Sequence, residues 1–145
     1  MIQYIVMRYN ATRATDADLS TLAAFRYTLR KFLRFSEEAA VSAGLRPQHY
    51  LALLAIHGDP DRDRVTVGVL ADRMQLRPNS AVGLADRLVS RGLLRRRASP
   101  RDGREVRLIL TPRGQRTVRQ VAGVNRGEIT RLKGEIIHLL RKLGH

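Results

Sequence analysis

The chain has 145 residues, of which 43% are hydrophobic and 5% are aromatic, and it contains no Cys and no Trp. This length suits one compact domain, and the lack of Cys excludes disulfides, thiolate metal sites and a thiol redox switch. The formal net charge is +14, which favours a polyanionic partner. Arg makes up 24 of the 27 basic residues, and two explanations stay open: phosphate and guanine recognition, or a GC-rich genome.

Several classes of function find no support in the residue patterns. No apolar run approaches the roughly 20 residues of a membrane span, so we expect a cytoplasmic, nucleoid-associated protein without membrane contact. The four His residues lack metal-ligand spacing, and no nucleophile stands beside a base. We therefore expect no cofactor, no metal and no enzymatic activity.

Helical periodicity dominates the first half of the chain. A first helix is predicted over about residues 16–43 and is ended by Gly44, because Gly adopts the left-handed conformation found at helix ends. Pro47 suits the first position of a second helix, which ends at Gly58. Thr66 is expected to cap a short third helix.

A fourth predicted helix follows a tight turn at residues 76–78, is capped by Asn79 or Ser80, and ends at Gly92. Its inner side is predicted to comprise Ala81, Val82, Ala85, Leu88 and Val89. Its other side is predicted to comprise Asn79, Ser80, Gly83, Asp86, Arg87 and Ser90. Small polar residues near a helix start suit entry into the major groove. Gly83 costs about 1 kcal/mol relative to Ala in a helix, and either close approach to DNA or tight helix packing explains it.

A β-hairpin is predicted after Gly92, where the hydrophobic period changes to two. Leu94, Arg96 and Ala98 alternate with their neighbours, residues 100–103 form a turn, and a second strand covers residues 106–110. Residues 73–107 hold ten Arg and three acidic residues, which is half of the excess charge. Crowded guanidinium groups on a hairpin repel one another, and a polyanion relieves that repulsion.

Thr111 and Pro112 open a fifth predicted helix, and a separate last helix covers about residues 129–143. The resulting fold is mainly α with a small β-hairpin wing, a winged helix-turn-helix in one domain of residues 1–145. About residues 46–111 form the DNA-binding region. Apolar faces at about residues 1–45 and 112–145 predict dimerisation helices and hence a homodimer.

Double-stranded DNA is the predicted partner of the turn, the fourth helix and the hairpin. An Arg at the hairpin tip suits the minor groove, and Asp102 is placed to hold Arg104 in a bidentate pair. The predicted DNA contacts are Arg77, Asn79, Ser80, Gly83, Arg87, Arg97, Ser99, Arg101, Asp102 and Arg104.

The stretch from Leu93 to Gly114 resembles the wing of MarR-family regulators. The family's mark is Asp-x-Arg followed by Leu-x-Leu-Thr-x-x-Gly, matched here by Asp102, Arg104, Leu108, Leu110, Thr111 and Gly114. Residues 79–93 resemble the family's recognition helix, and the order of helices is similar along essentially the whole chain.

The resemblance implies an obligate homodimer that binds a pseudo-palindromic operator and acts as a repressor. Recognition helices of about residues 79–91 would enter successive major grooves, and wings of about residues 94–110 the flanking minor grooves. Arg104 would be the minor-groove residue and Asp102 its orienting partner. The resemblance also implies release by a small anionic or aromatic effector, in a cleft whose candidates are Tyr27, Arg30, His49, Leu53 and His57. The alternative is a non-specific, architectural nucleic-acid-binding protein.

Overall fold

A computed structural model describes residues 3, 7–8, 12–101 and 103–143 of the chain. The elements in chain order are α1 (Asp16–Ser42), α2 (Pro47–His57), a 3₁₀ turn (Arg62–Arg64), α3 (Val67–Met74), α4 (Pro78–Ser90), β1 (Leu94–Ala98), β2 (Val106–Leu110) and α5 (Pro112–Lys142). Two compact units are formed, one by residues 34–128 and the other by the residues up to 33 and from 129 onwards. The predicted fold class, mainly helical with a β-hairpin wing, is confirmed.

The helix-turn-helix consists of α3, α4 and the turn between them. The Thr66 hydroxyl accepts the backbone N–H of Val69 at 3.2 Å and caps α3, as the sequence predicts. Gln75 ends α3 in the left-handed conformation, with φ of 53°, and the next N–H, that of Leu76, donates to the carbonyl of Ala71 at 2.8 Å. Because α3 ends so abruptly, only residues 75–77 separate the two helices.

The two strands of the wing pair antiparallel, with Leu94 opposite Leu110 and Ala98 opposite Val106. We use "wing" for residues 94–110. At its base, the N–H of Leu108 donates to the carbonyl of Val65 at 2.8 Å, which ties the hairpin to the segment before α3. Leu94 and Leu108 are fully buried, so the apolar side of the alternation packs into the core.

The core of residues 34–128 gathers apolar side chains from every element of the winged helix. Its largest fully buried members are Leu53, Ile56, Val65, Leu70, Leu84, Leu88, Leu94, Leu108 and Val121. Because these residues come from helices on both sides of the turn and from both strands, the helix-turn-helix and the wing share one core.

The start of α5 is locked to the residue before the wing. Thr111 caps the helix, because its hydroxyl accepts the N–H of Gly114 at 3.0 Å while its own N–H donates to the carbonyl of Leu93 at 3.1 Å. A Cβ on Gly114 would overlap that same Leu93 oxygen, so the position needs glycine. The Thr-x-x-Gly spacing is thus a packing requirement.

The prediction of two separate helices after Pro112 is wrong, since α5 continues unbroken for 31 residues to Lys142. Gly123 and Gly127 lie inside it, and a Cβ at either would meet nothing within 4 Å. Glycine lowers helix stability by about 1 kcal/mol, but packing of the apolar face outweighs that cost.

The terminal unit contains the first part of α1 and the last part of α5. Thr28 is 1% exposed and its hydroxyl donates to Glu135 Oε1 at 2.8 Å, while Leu132 and Leu139 are buried. Several large apolar side chains of this unit are exposed in the single chain: Leu19, Leu22, Leu29, Leu33, Ile129, Ile137 and Leu140. Among the described residues no helix is both long enough and apolar enough to cross a bilayer.

Candidate nucleic-acid interface

Helix α4 begins at Pro78, with Arg77 as the flanking cap residue in extended backbone conformation. Proline takes the first helical position because its fixed φ suits the helix and its missing N–H needs no partner there. The prediction that Asn79 or Ser80 caps this helix is therefore wrong. Both residues lie inside the first turn and are exposed, so their side chains are on the surface.

One face of α4 packs into the core through Ala81, Leu84, Ala85 and Leu88, which follow the spacing of a helical stripe. Val82 was predicted to face inward, but it is 44% exposed. Residue 82 is rotated about 100° from Ala81, so Leu84 takes the inner position instead. The exposed face comprises Asn79, Ser80, Val82, Asp86, Arg87 and Ser90.

Gly83 is half-buried next to Arg87. A Cβ at residue 83 would have a single heavy-atom neighbour outside the local helix backbone, Nη1 of Arg87, at 3.4 Å. Of the two explanations for this glycine, tight packing against another helix therefore finds no support among the described residues. The glycine instead leaves room for the Arg87 guanidinium one turn further along.

The three consecutive arginines of β1 are all exposed and divide between the two faces of the wing. Arg96 shares a face with Leu94 and Ala98, and it pairs with Asp86 of α4. Arg95 and Arg97 lie on the other face. The ion pair joins the wing directly to the exposed side of α4, so both elements contribute to one surface.

Hydrogen bonds around Ser99 link the end of β1 to the start of β2, next to the turn of the wing. Its side-chain oxygen accepts from Nη2 of Arg107 at 3.1 Å and from the N–H of Arg101 at 3.3 Å, and its own N–H donates to the carbonyl of Glu105 at 2.9 Å. Ser99 was predicted as a DNA contact, but it is 6% exposed. Its contacts within the wing give Ser99 a structural role. Arg107 has the same role, and the sequence analysis did not single it out.

The tip of the wing presents Arg101, Gly103 and Arg104, all exposed. Asp102 lies outside the described residues, so its pairing with Arg104 stays a prediction. In this region Asp86 forms an ion pair with Arg96, and Glu105 forms one with Arg107. Within residues 73–101 and 103–107, the arginines that form no ion pair are Arg77, Arg87, Arg91, Arg95, Arg97 and Arg101. We call the exposed face of α4 together with the wing the candidate interface.

The predicted effector residues divide between the two compact units. Tyr27 and Arg30 belong to the terminal unit, whereas His49, Leu53 and His57 belong to residues 34–128. Leu53 is 0% exposed, so it is a core residue and its prediction as a cleft residue is wrong.

The two histidines lie at opposite ends of α2 and contact different arginines. Nη1 of Arg91 lies 3.4 Å from Nδ1 of His49, and Nη2 of Arg119 lies 3.3 Å from Nε2 of His57. Burial, with the nearby guanidinium groups as a further cause, lowers the pKa of both histidines. They line two different cavities.

The family model that matches the chain is that of the MarR family, over residues 43–105. None of the curated proteins matches significantly.

Several solved structures are similar. CouR from Rhodococcus jostii RHA1, bound to p-coumaroyl-CoA, is 26% identical over 78% of this chain and 80% of its own, with a TM-score of 0.64. A MarR family protein from Bacillus stearothermophilus is 23% identical over 90% of this chain and 94% of its own, with a TM-score of 0.72. A variant of MepR from S. aureus bound to an oligodeoxyribonucleotide is 16% identical over 82% of this chain and 94% of its own, with a TM-score of 0.66.

Proposed function

We propose that this chain is a MarR-type repressor that binds a pseudo-palindromic operator as a homodimer, because residues 43–105 match the MarR family model and α3, α4 and the wing form a winged helix-turn-helix. Helix α4 enters the major groove and the wing enters the adjacent minor groove. The observation that carries the proposal is the candidate interface itself. Groups suited to bases and groups suited to phosphates lie on elements that share one core and are joined by the Asp86–Arg96 pair.

The first turn and exposed face of α4 supply the base contacts. The amide of Asn79 suits the paired acceptor and donor of adenine, and the hydroxyl of Ser80 both donates and accepts. The exposed methyl groups of Val82 suit the methyl group of thymine. Gly83 permits close approach, and Arg77 and Arg87 neutralise the flanking phosphates.

The wing supplies the minor-groove contacts. Arg101 and Arg104 lie at its exposed tip, and Arg97 extends the positive charge along β1. A narrow minor groove concentrates negative potential, so inserted guanidinium groups bind there without needing a base-specific partner. In this proposal, α4 provides the sequence specificity of DNA binding and the wing adds to its affinity.

Dimerisation is supported by the exposed apolar side chains of the terminal unit. Seven large aliphatic residues there are at least one-third exposed in the single chain, and such a patch is typical of a protein interface. A two-fold dimer presents two copies of α4, which matches an operator with two inverted half-sites. The ligand-bound state of CouR supports a further part of the proposal, release of DNA by a small-molecule effector.

The test begins with the operator, selected from random duplexes by the purified protein. We expect Arg104→Ala to weaken operator binding by about 10- to 100-fold, the cost of losing a groove contact. Fluorescence anisotropy measures the affinity, and circular dichroism shows whether the variant is folded. Arg116→Ala is the matched control, because it removes the same charge from an exposed position on α5.

An equal loss in the two variants would contradict a specific role for the wing tip. The non-specific, architectural alternative is decided by competition: operator binding survives a large excess of random DNA only if α4 contacts bases. If random duplexes displace the operator on equal terms, the protein is a non-specific DNA binder.

A further inference from the structure

The wing has a second basic face, which points away from α4. Side chains alternate between the two faces of a strand, so Arg95 and Arg97 lie opposite Arg96, which is held by Asp86 of α4. Arg95 and Arg97 are exposed, and neither pairs with a carboxylate of the described residues. The contacts proposed for α4 and the wing tip leave Arg95 without a role.

This face continues from the wing onto the body of the larger compact unit. Ile109 is the cross-strand partner of Arg95, and such partners have Cβ atoms about 5 Å apart. Ile109 also lines a cavity of about 260 Å³ between the end of α2, the 3₁₀ turn, β2 and the start of α5, which Arg62 and Arg119 line as well. We call Arg62, Arg95, Arg97 and Arg119 the outer surface.

His57 holds both arginines of the cavity. Nη2 of Arg119 donates to Nε2 of the ring at 3.3 Å, and Nε of Arg62 donates to the His57 carbonyl. Burial first, and then Arg62 and Arg119, lower the pKa of His57, so the ring is a neutral acceptor at about pH 7. Guanidinium groups that are already positioned lose less freedom when they bind an anion, which sets this pair apart from a solvated basic patch.

We propose that the outer surface binds the phosphate backbone of the operator duplex beyond each half-site, so that the flanking DNA curves around the wing. The inference rests on the proposed function, because the wing must enter the minor groove before the flank can pass its outer face. The tip of the wing lies at residues 101–104, whereas Arg95 and Arg119 lie at its base. Flanking DNA therefore reaches them by bending towards the core.

The spread of the outer surface fits a nucleic-acid backbone better than a compact ligand. Its guanidinium groups come from three elements, the 3₁₀ turn, β1 and α5, and a duplex presents phosphates at regular intervals along such a path. The cavity is smaller than the roughly 300–1,000 Å³ of sites that hold small molecules, so it suits one phosphate group. Asp63 is the one carboxylate among its lining residues, all of which are described, and Arg62 and Arg119 outweigh it.

The length of the duplex tests the proposal. An operator that ends at its half-sites is compared with the same operator extended at both ends by about ten base pairs, one helical turn. Each phosphate contact adds about 0.9 to the salt slope, so two or three contacts on each protomer steepen it by about 4. We also expect about tenfold tighter binding of the extended duplex. Equal affinities and equal slopes would overturn the proposal and leave the outer surface to an acidic protein partner.

Variants of the cavity arginines assign the effect to the outer surface. Arg119→Gln and Arg62→Gln should each lower the slope on the extended duplex by about 1.8, two contacts in the dimer, and leave binding to the short operator unchanged. Arg119→Lys should keep the slope, because a phosphate contact needs the charge. Arg26→Gln is the matched control, an exposed arginine of the terminal unit. Equal losses on both duplexes would contradict the inference, and thermal melts show whether the variants fold.

Cleavage from a tethered reagent separates this inference from the proposed function. The chain has no Cys, so Asp63→Cys gives a single exposed attachment point for an iron chelate that cuts nearby DNA. We expect cuts outside the half-sites of the extended operator. Their absence, with operator binding intact, would overturn the inference alone. If the protein instead shows no preference for any operator, cuts spread along random duplexes would retain the outer surface and refute the sequence-specific repressor.

Discussion

Gly114 connects the chain on both sides of the wing through one backbone contact. Its α-carbon approaches the carbonyl of Leu93 so closely that any Cβ would overlap the oxygen. That oxygen also accepts the N–H of Thr111 at 3.1 Å, so it cannot move without breaking the cap of α5. The residue before the wing and the helix after it are thereby held together at a single position.

We expect Gly114→Ala to lower the free energy of unfolding by about 2–3 kcal/mol, the usual cost of overpacking a rigid site. Urea denaturation followed by circular dichroism measures the change. Gly127→Ala is the control, because a Cβ there meets nothing within 4 Å and alanine favours a helix interior by about 1 kcal/mol. A stable Gly114→Ala protein would show that the contact with Leu93 relaxes easily.

Several single residues of the predicted sites were misplaced from the sequence. Ser99 lies in a strand-like alternation that exposes its neighbours, yet it is buried, and Arg107 donates to its hydroxyl. Leu53 follows the core stripe of α2, and that stripe was a signal against its assignment to a cleft. Val82 was misplaced because a valine in an amphipathic helix is usually assigned to the core.

The order of the elements, by contrast, followed from local signals. Thr66 caps α3, proline opens α2 and α5, and a change of period from helical to alternating marks the wing. These signals act within a few residues, so the sequence contains them. The continuity of α5 is different, because whether a helix passes through Gly123 and Gly127 depends on what packs against its two ends.

At the scale of elements, the Asp86–Arg96 pair decides how the wing and α4 act together. Both side chains are substantially exposed, at 57% and 39%, so the pair contributes little to stability. Its larger effect is electrostatic. The carboxylate cancels one positive charge in the candidate interface and holds the Arg96 guanidinium against α4.

We expect Asp86→Asn to leave the unfolding free energy nearly unchanged and to tighten binding to random duplexes by about threefold to tenfold. The freed Arg96 gains a phosphate contact, which any sequence offers, so the ratio of operator to random affinity falls. Anisotropy titrations with both duplexes measure that ratio. An unchanged ratio would mean that Asp86 faces away from the bound DNA.

At the scale of the molecule, charge and apolar surface are segregated along the chain. Residues 73–107 hold half of the net charge of +14, whereas the terminal unit, the smaller of the two, holds seven of the thirteen exposed large aliphatic side chains of the described residues. A protein that binds DNA as one copy needs only the first of these features. Having both favours a dimer in which the apolar surface is covered and the charge of two protomers is presented to one duplex.

The salt dependence of operator binding tests that arrangement. A dimer that contacts on the order of ten phosphates has a slope of about −9 in a plot of log affinity against log salt. Leu19→Glu combined with Leu140→Glu places charge on two exposed positions of the terminal unit and should yield a monomer of 16.4 kDa by light scattering. Because each protomer carries half of the contacts, the slope should fall to about −4.5 in the monomer. A double variant that stays dimeric, or a monomer that keeps the full slope, would show that the apolar surface of the terminal unit is not what brings two winged helices to one operator.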